Sequence, residues 1–290
     1  MITKPLSGLL PRFLLTAAVV SNVACTNRLR DYTQITMQAS ALDQGSEVSP
    51  ENLAATQEIL ENRLTGLGVD FPEVEINAPD QIVVRLPQAV NVKAAEALLT
   101  NTGQLYLRNQ KPDTEQNLAK NIEELQRLLV EQDTLNQTGK QAEAEALQAK
   151  INEIRSTISA LFEPSQLTGK LLYDAKAQPS DRDRNLWEVT IRFDAEGADK
   201  FAEQTKLMAG TGRAVGLFLD SVLLSTPVVD VDYADTGITE GAAVISGDFT
   251  KAAAEALEVQ LKSGALPVVL TTLGIVTVKD KEITEETAPE

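Results

Sequence analysis

Apolar and polar positions alternate over residues 31–41, where Tyr32, Ile35, Met37 and Ala39 are interleaved with polar side chains. That period predicts a strand. Asp43-Gln44-Gly45-Ser46 breaks it, and Ser49-Pro50 then has the form of a helix start, with serine as N-cap and proline at the first helical position. Leu53, Leu60, Leu64 and Leu67 fall on one face of that helix, and Gly66-Leu67-Gly68 supplies the stop. Two further strands are predicted over residues 72–77 and 81–87, joined by the turn Ala78-Pro79-Asp80, then a helix over 92–100 and a strand over 104–108. The order β-α-β-β-α-β predicts a ferredoxin-like first unit over residues 31–110. Such a fold hosts many functions and assigns none.

From residue 113 to 163 the pattern changes to Ala, Glu, Gln, Leu and Lys with a helical repeat. Leu118, Ile122, Leu125 and Leu129 share one face, as do Leu147, Ile151, Ile154, Ile158 and Leu161, with Asn136-Gln137-Thr138-Gly139 breaking the run between them. The spacing predicts a two-helix antiparallel coiled-coil hairpin inserted between two units. Its apolar stripes can satisfy each other, so a spacer explains them as well as a partner-docking arm.

The second unit starts with a strand over 187–193, followed by a helix over 195–208 with Ala198, Phe201, Ala202 and Thr205 on one side. Residues 214–220 and 222–231 predict a hairpin around Asp220-Ser221. A short strand over 243–247 and a helix over 250–262 ending at Ser263-Gly264 complete a second small α+β sandwich. The predicted class is therefore α+β, with two ferredoxin-like units and a helical hairpin between them.

Composition narrows what this fold can do. The 290 residues hold 26 Lys and Arg against 42 Asp and Glu, a net charge of −16, which disfavours tracking a phosphate backbone or an anionic lipid surface, so nucleic acid is not an expected partner. There is no histidine, and Cys25 is the single cysteine, so the commonest general base and thiolate metal clusters are missing. No catalytic residue, metal or cofactor is expected, and the protein is read as a non-enzyme.

Residues 1–25 have the shape of an export signal, with Lys4 and Arg12 ahead of an apolar run from Phe13 to Val20. That run is shorter than the roughly 20 apolar residues that span a bilayer. Val23-Ala24-Cys25 resembles the end of a bacterial lipoprotein signal, with Asn22 where an apolar residue is usual. Lipidation of Cys25 is the expectation, tethering the chain to a membrane without crossing it.

Two motifs invite chemistry and are read structurally. Gly210-Thr211-Gly212-Arg213 follows a helix instead of opening one and lacks the Lys-Ser/Thr pair of a phosphate loop, so it predicts a glycine-bearing turn. Asp230, Asp232 and Asp235 lack the glycine and terminal glutamate of a calcium loop, and predict a solvated loop.

The second unit carries an ordered set of motifs: the run from Phe193 to Ala202, Gly212-Arg213, the strand from Leu217 to Asp220, Ser225-Thr226-Pro227, the run from Ile245 to Thr250, and Ser263-Gly264-Ala265-Leu266-Pro267. The first unit adds Glu61-Asn62-Arg63, Gly66-Leu67-Gly68-Val69, the run from Ile82 to Pro87 and Gly103-Gln104-Leu105-Tyr106-Leu107. Together these resemble the periplasmic region of the SecD family, accessory membrane subunits of the bacterial Sec translocon, over residues 31–278. The helical insertion is similar to that of cyanobacterial members. SecD proteins continue beyond the Ser-Gly-Ala-Leu-Pro motif into further membrane helices. Here residues 268–278 predict a strand returning to the first unit, and 279–290 an acidic disordered tail.

The resemblance implies a base subdomain over residues 30–110 plus 265–278 and a head over 164–264. The head would rock on the base through residues 164–168 and 263–267. It further implies a non-catalytic accessory factor in protein export that binds translocating or unfolded polypeptide on the periplasmic or thylakoid-lumenal side, without its own proton-driven motor. The implied partners are SecY, SecF or a full-length SecD, the exported polypeptide, and a membrane through the lipid on Cys25. The candidate contact or hinge residues are Phe193, Gly197, Phe201, Gly212, Arg213, Asp220, Pro227, Gly247, Phe249, Ser263, Gly264 and Pro267. An alternative is an envelope or thylakoid scaffold lipoprotein that keeps this fold and binds another complex through its coiled-coil arm.

Overall fold

The computed structural model describes residues 31–43, 46–77, 79–165, 167–279 and 282–286. Cys25 and the export-like segment lie outside the described residues. The fold is α+β with antiparallel sheets.

In the first unit, β1 (Tyr32–Ala41), β2 (Glu73–Asn77), β3 (Gln81–Pro87), β11 (Val268–Lys279) and β12 (Glu282–Glu286) form one sheet in the order β12-β11-β1-β3-β2. Helices α1 (Pro50–Gly66) and α2 (Val92–Thr100) cover its apolar face. The local chemistry sets these elements as expected: Ser49 accepts from the Asn52 N–H at 3.1 Å, and Asn91 does the same for Ala94. Alternate residues of β1 (Ile35, Met37, Ala39) point into a core shared with Leu60, Leu64, Leu86, Leu99 and Val268.

The structure corrects two expectations here, the place of β4 and the acidic tail, and bears out the return of residues 268–278 to the first unit. Strand β4 (Leu105–Asn109), expected to close the first sheet, pairs instead with β8 (Val215–Leu219) in another sheet, because Leu105 and Leu107 point into the second core. The fourth place in the first sheet is filled from the far end of the chain by β11, paired with β1 from Tyr32↔Val278 to Ala41↔Val268 around a bulge at Thr36/Met37. The acidic tail is not wholly irregular: Glu282–Glu286 is an edge strand paired along β11.

The second unit contains two sheets. β5 (Leu167–Thr168), β4, β8 and β9 (Val222–Ser225) are ordered β5-β4-β8-β9; β6 (Leu172–Pro179), β7 (Trp187–Phe193) and β10 (Ala242–Phe249) are ordered β10-β7-β6. Sequence patterning missed β6, whose exposed and half-buried positions are irregular. Both sheets and helices α5 (Ala195–Met208) and α6 (Lys251–Ser263) feed one core containing Leu107, Val189, Ile191, Phe201, Leu217, Ile245, Leu257 and Leu261. Asp194 caps α5 through the Gly197 N–H, and Thr250 caps α6 through Ala253.

Helices α3 (Glu115–Gln137) and α4 (Gln141–Ala160) form the predicted helical pair. It sits inside the second unit, between β4 and β5, and not between the units as expected. The chain leaves β4 at Gln110, which bridges to Phe162, and the Glu163 N–H returns to the Asn109 carbonyl at 2.8 Å. The root is anchored by Leu118, Ile158, Phe162, Ala214 and Phe218, with the Phe162 and Phe218 rings edge-on at 5.0 Å. Phe162→Ala is expected to lower folding stability by about 3–5 kcal/mol in chemical denaturation, and a loss under about 1 kcal/mol would show that the hairpin root is not braced on this sheet.

Candidate functional site

Strands β9 and β10 are the outermost strands of their sheets, and they meet only through side chains: Ser225 Oγ and Ser246 Oγ lie 3.5 Å apart. Among the described residues neither strand has a ladder partner on its other edge. Such edges present rows of backbone donors and acceptors to any extended chain.

A groove opens on each side of this seam. The first, about 590 Å³, has the buried side chains of Phe201, Val215, Leu217 and Val229 in its floor. Val228 and Val244, exposed at 57% and 42%, stand among the residues that line it. The second, about 630 Å³, lies between α3 (Leu125, Leu129) and the strand ends at Leu223, Leu224, Gly247 and Phe249. Arg182, Pro227 and Ser246 line both.

The first groove owes its walls to three local devices. The Val215 N–H donates to the Pro227 carbonyl at 2.8 Å, holding the segment after β9 beside β8. Thr205 Oγ1 on α5 donates to the Phe201 carbonyl and accepts from the Ile238 N–H at 2.8 Å, fastening the wall that carries Tyr233, Ile238 and Glu240. Within that wall, Gly237 (φ +70°) lies so close to α5 that a Cβ would fall 1.9 Å from the Ala202 carbonyl oxygen.

The charges along the first groove are unequal. Asp181, Glu188, Asp230 and Glu240 line it, against the one cation Arg182. Asp230 also caps the turn at Asp232 with a 3.0 Å bond, as a solvated loop would.

The second cluster sits where the two units join. The chain crosses between them at residues 101–104 and 263–267, and the side chain of Arg63 on α1 holds both crossings. Its guanidinium donates to the carbonyls of Leu98, Asn101 and Thr102 at 2.7, 2.6 and 3.1 Å, and to Gly264 at 3.1 Å; its Nε reaches Ser263 Oγ at 3.3 Å. Arg63 is fully buried. Burial pushes its pKa down to about 10, with the Asp220 charge opposing the shift, so it remains a cation at neutral pH.

Asp220, at the β8–β9 turn with φ +54°, completes the junction. Its carboxylate accepts from the Gly103 and Gln104 N–H groups at 3.1 and 2.9 Å and from the Thr102 hydroxyl, while its own N–H donates to the Gln104 carbonyl at 2.8 Å. The two crossings also bond directly, Leu266 N–H to the Thr102 carbonyl at 2.8 Å. The structure therefore corrects the expected hinge at residues 164–168: β5 there is paired to β4 inside the second unit, and the first crossing is 101–104.

Asp220→Ala is expected to cost about 2 kcal/mol, since the buried Gly103 amide and the half-buried Gln104 amide lose a charged acceptor. Asp220→Asn should cost less, because asparagine keeps one acceptor and tolerates a left-handed backbone. Hydrogen exchange read at the Gly103 and Gln104 amides checks this; unchanged protection in the alanine variant would show that Asp220 does not secure the crossing.

The sequence-derived residues divide by place. Phe201 and Pro227 line the first groove, and Pro227, Gly247 and Phe249 the second. Asp220, Ser263 and Gly264 belong to the junction, with Pro267 just before β11. Phe193 and Gly197 are packing residues: the Phe193 ring lies 5.5 Å from that of Phe201, and a Cβ on Gly197 would come 2.8 Å from Phe193 Cβ. Gly212 (φ +73°) and Arg213 form the turn before β8, Arg213 donating to the Gln110 carbonyl at 3.1 Å. Arg182, Glu188 and Val244 were missed, as was Arg63, although an arginine within the apolar face Leu60, Leu64, Leu67 is a visible signal.

Comparison with known proteins finds family models over both units, the first running through β4 and the second beginning within the helical hairpin. The family model described as the SecDF P1 head subdomain matches residues 140–268, and that of the N-terminal P1 domain of protein translocase subunit SecDF matches residues 53–112. Protein translocase subunit SecD of Synechocystis is 41% identical over 244 residues, covering 82% of this chain and 51% of that protein. The Prochlorococcus marinus subunit is 30% identical over 282 residues, covering 86% and 56%. The chain thus spans about half the length of these curated relatives. A crystal structure of SecDF in a super-membrane-facing form superposes with a TM-score of 0.63 at 26% identity, covering 86% of this chain and 31% of that one. A second structure, of a membrane component SecDF that enhances protein export, gives 0.60 at 26% identity, covering 82% and 97%. Among the described residues no helix is long and apolar enough to cross a membrane.

Proposed function

Because this chain belongs to the SecD family, matching models of both its P1 base-side and head regions, we propose that it serves protein export by holding extended polypeptide in the grooves of the second unit. The observation that carries this reading is the seam between β9 and β10: two free strand edges above an apolar floor. Main-chain hydrogen bonds to a strand edge accept almost any sequence, while apolar pockets beside it add affinity. A factor that meets many different exported chains needs that combination.

The role is binding and release, not turnover. The order β11-β1-β3-β2 under two helices supports reading the first unit as a ferredoxin-like base, and the second as the head it carries. The paired crossings beside Arg63 support reading the junction as a hinge, with α1 packed on α6 next to it at Gly66 and Val259. We further propose that the protein works on the trans side of the membrane beside Sec components, tethered through Cys25.

Photo-crosslinkers placed at Val228 and Val244 in cells should capture exported chains in transit. Val228→Ser with Val244→Ser should weaken binding of a permanently unfolded polypeptide about tenfold, from lost apolar contact. Failure of both positions to capture any exported chain, or a double variant that binds like the parent, would overturn the proposal.

A further inference from the structure

We infer that the first groove selects extended segments bearing Lys or Arg side chains among apolar ones. This deepens the reading just proposed and rests on it. Four carboxylates, Asp181, Glu188, Asp230 and Glu240, line the groove against the single guanidinium of Arg182. Among the described residues none of the five forms an ion pair.

Glu188 carries the argument beyond a count of charges. Its side chain is on β7, in a residue only 7% exposed, and accepts a 3.0 Å bond from the amide of Gln178, its cross-strand neighbour. A carboxylate has about four acceptor sites and is costly to hold away from water without a cation. Among the described residues no basic side chain forms an ion pair with it. β10 runs alongside, with Ser246 opposite Glu188 and with Val244 two residues earlier lining the same groove.

An extended segment laid against the free edge of β10 directs every second side chain to the same side. A lysine or arginine on the face of Glu188, Val244 and Ser246 brings its charged head to that carboxylate, while the alternate apolar side chains turn to the Phe201 and Leu217 floor. An acidic side chain in that position meets like charge in a partly desolvated groove. The groove therefore discriminates by charge on an otherwise sequence-tolerant surface, through attraction of basic clients and repulsion of acidic ones.

The test uses the full chain and three extended peptides of roughly ten residues, the length of a long strand, with the same apolar positions alternating with Lys, Glu or Ser. By fluorescence anisotropy at low salt, the Lys peptide should bind about tenfold tighter than the Glu peptide, with Ser between, and the gap should shrink at about 0.5 M salt. The triple variant Glu188→Gln, Asp230→Asn, Glu240→Gln should lose the difference between the Lys and Glu peptides. The matched variant Glu123→Gln, Glu145→Gln, Glu153→Gln, three exposed carboxylates on the helical hairpin, should retain it. Equal binding of all three peptides overturns the charge inference while leaving the groove reading in place. A preference that survives the groove variant, or disappears in the hairpin variant, assigns it to the net charge of −16 and overturns it too. Binding of none of the peptides overturns the groove reading itself.

Discussion

Arg63→Met is expected to lower folding stability by about 3–5 kcal/mol, the range for breaking a buried charged network. Methionine fills similar volume, so packing is nearly preserved while five hydrogen bonds vanish. Three backbone carbonyls of the crossings, the Leu98 carbonyl at the end of α2 and Ser263 Oγ then lose their donor inside the junction. Arg63→Lys should recover only part of the loss, because an ammonium has three donors and no planar fork. Chemical denaturation of the three proteins measures this directly. Hydrogen exchange adds the functional reading: the crossings at 101–104 and 263–267 should lose protection before either core does. A methionine variant within about 1 kcal/mol of the parent, with unchanged exchange, would remove Arg63 from the junction.

Gly237→Ala should be nearly as damaging. The backbone there has φ +70°, a left-handed conformation that costs a side-chain-bearing residue about 1–2 kcal/mol. The added Cβ would also sit 1.9 Å from the Ala202 carbonyl oxygen and 2.6 Å from its carbon, backbone atoms of α5 that cannot rotate away. The loop must lift, breaking the Ile238 to Thr205 bond and displacing the groove wall at Tyr233, Ile238 and Glu240. The expected result is a loss of about 2–4 kcal/mol, together with weaker binding of unfolded polypeptide. Gly212→Ala is the contrasting control: its φ is +73°, but no atom lies within 4 Å of the new Cβ, so only the conformational cost applies. Equal stability of the two variants would show that the Ala202 contact does not decide the outcome.

The two sites were unequally legible in the sequence. Phe201, Pro227 and Phe249 stood out through the family motifs, and they do line the grooves. Glu188 and Val244 look ordinary within alternating strands and Arg182 within a polar loop; only the meeting of two sheet edges makes those positions face one cleft. The junction was half visible. Ser263-Gly264 and Asp220 were singled out, but Arg63, which holds Ser263 and Gly264, lies 200 positions before Ser263. A motif read locally does not disclose whom its carbonyls serve.

What the sequence determined by itself is what rests on short-range physics. Period-two and period-3.6 patterns, Ser49 as a cap, and the glycine-bearing turns set nearly every helix and strand, because each depends on neighbours within a few residues. What the tertiary structure alone decided is which sheet β4 joins, the return of residues 268–278 to the first unit being already expected. β4 reads equally well as a fourth strand of the first sheet, and its Leu105 and Leu107 could be buried in either core. β11 wins the place beside β1 because it offers a ten-residue register against that strand, whereas β4 is five residues long. That exchange moves the crossing from residues 164–168 to 101–104, puts the helical hairpin inside the second unit, and leaves β9 and β10 as the free edges on which the proposed function depends.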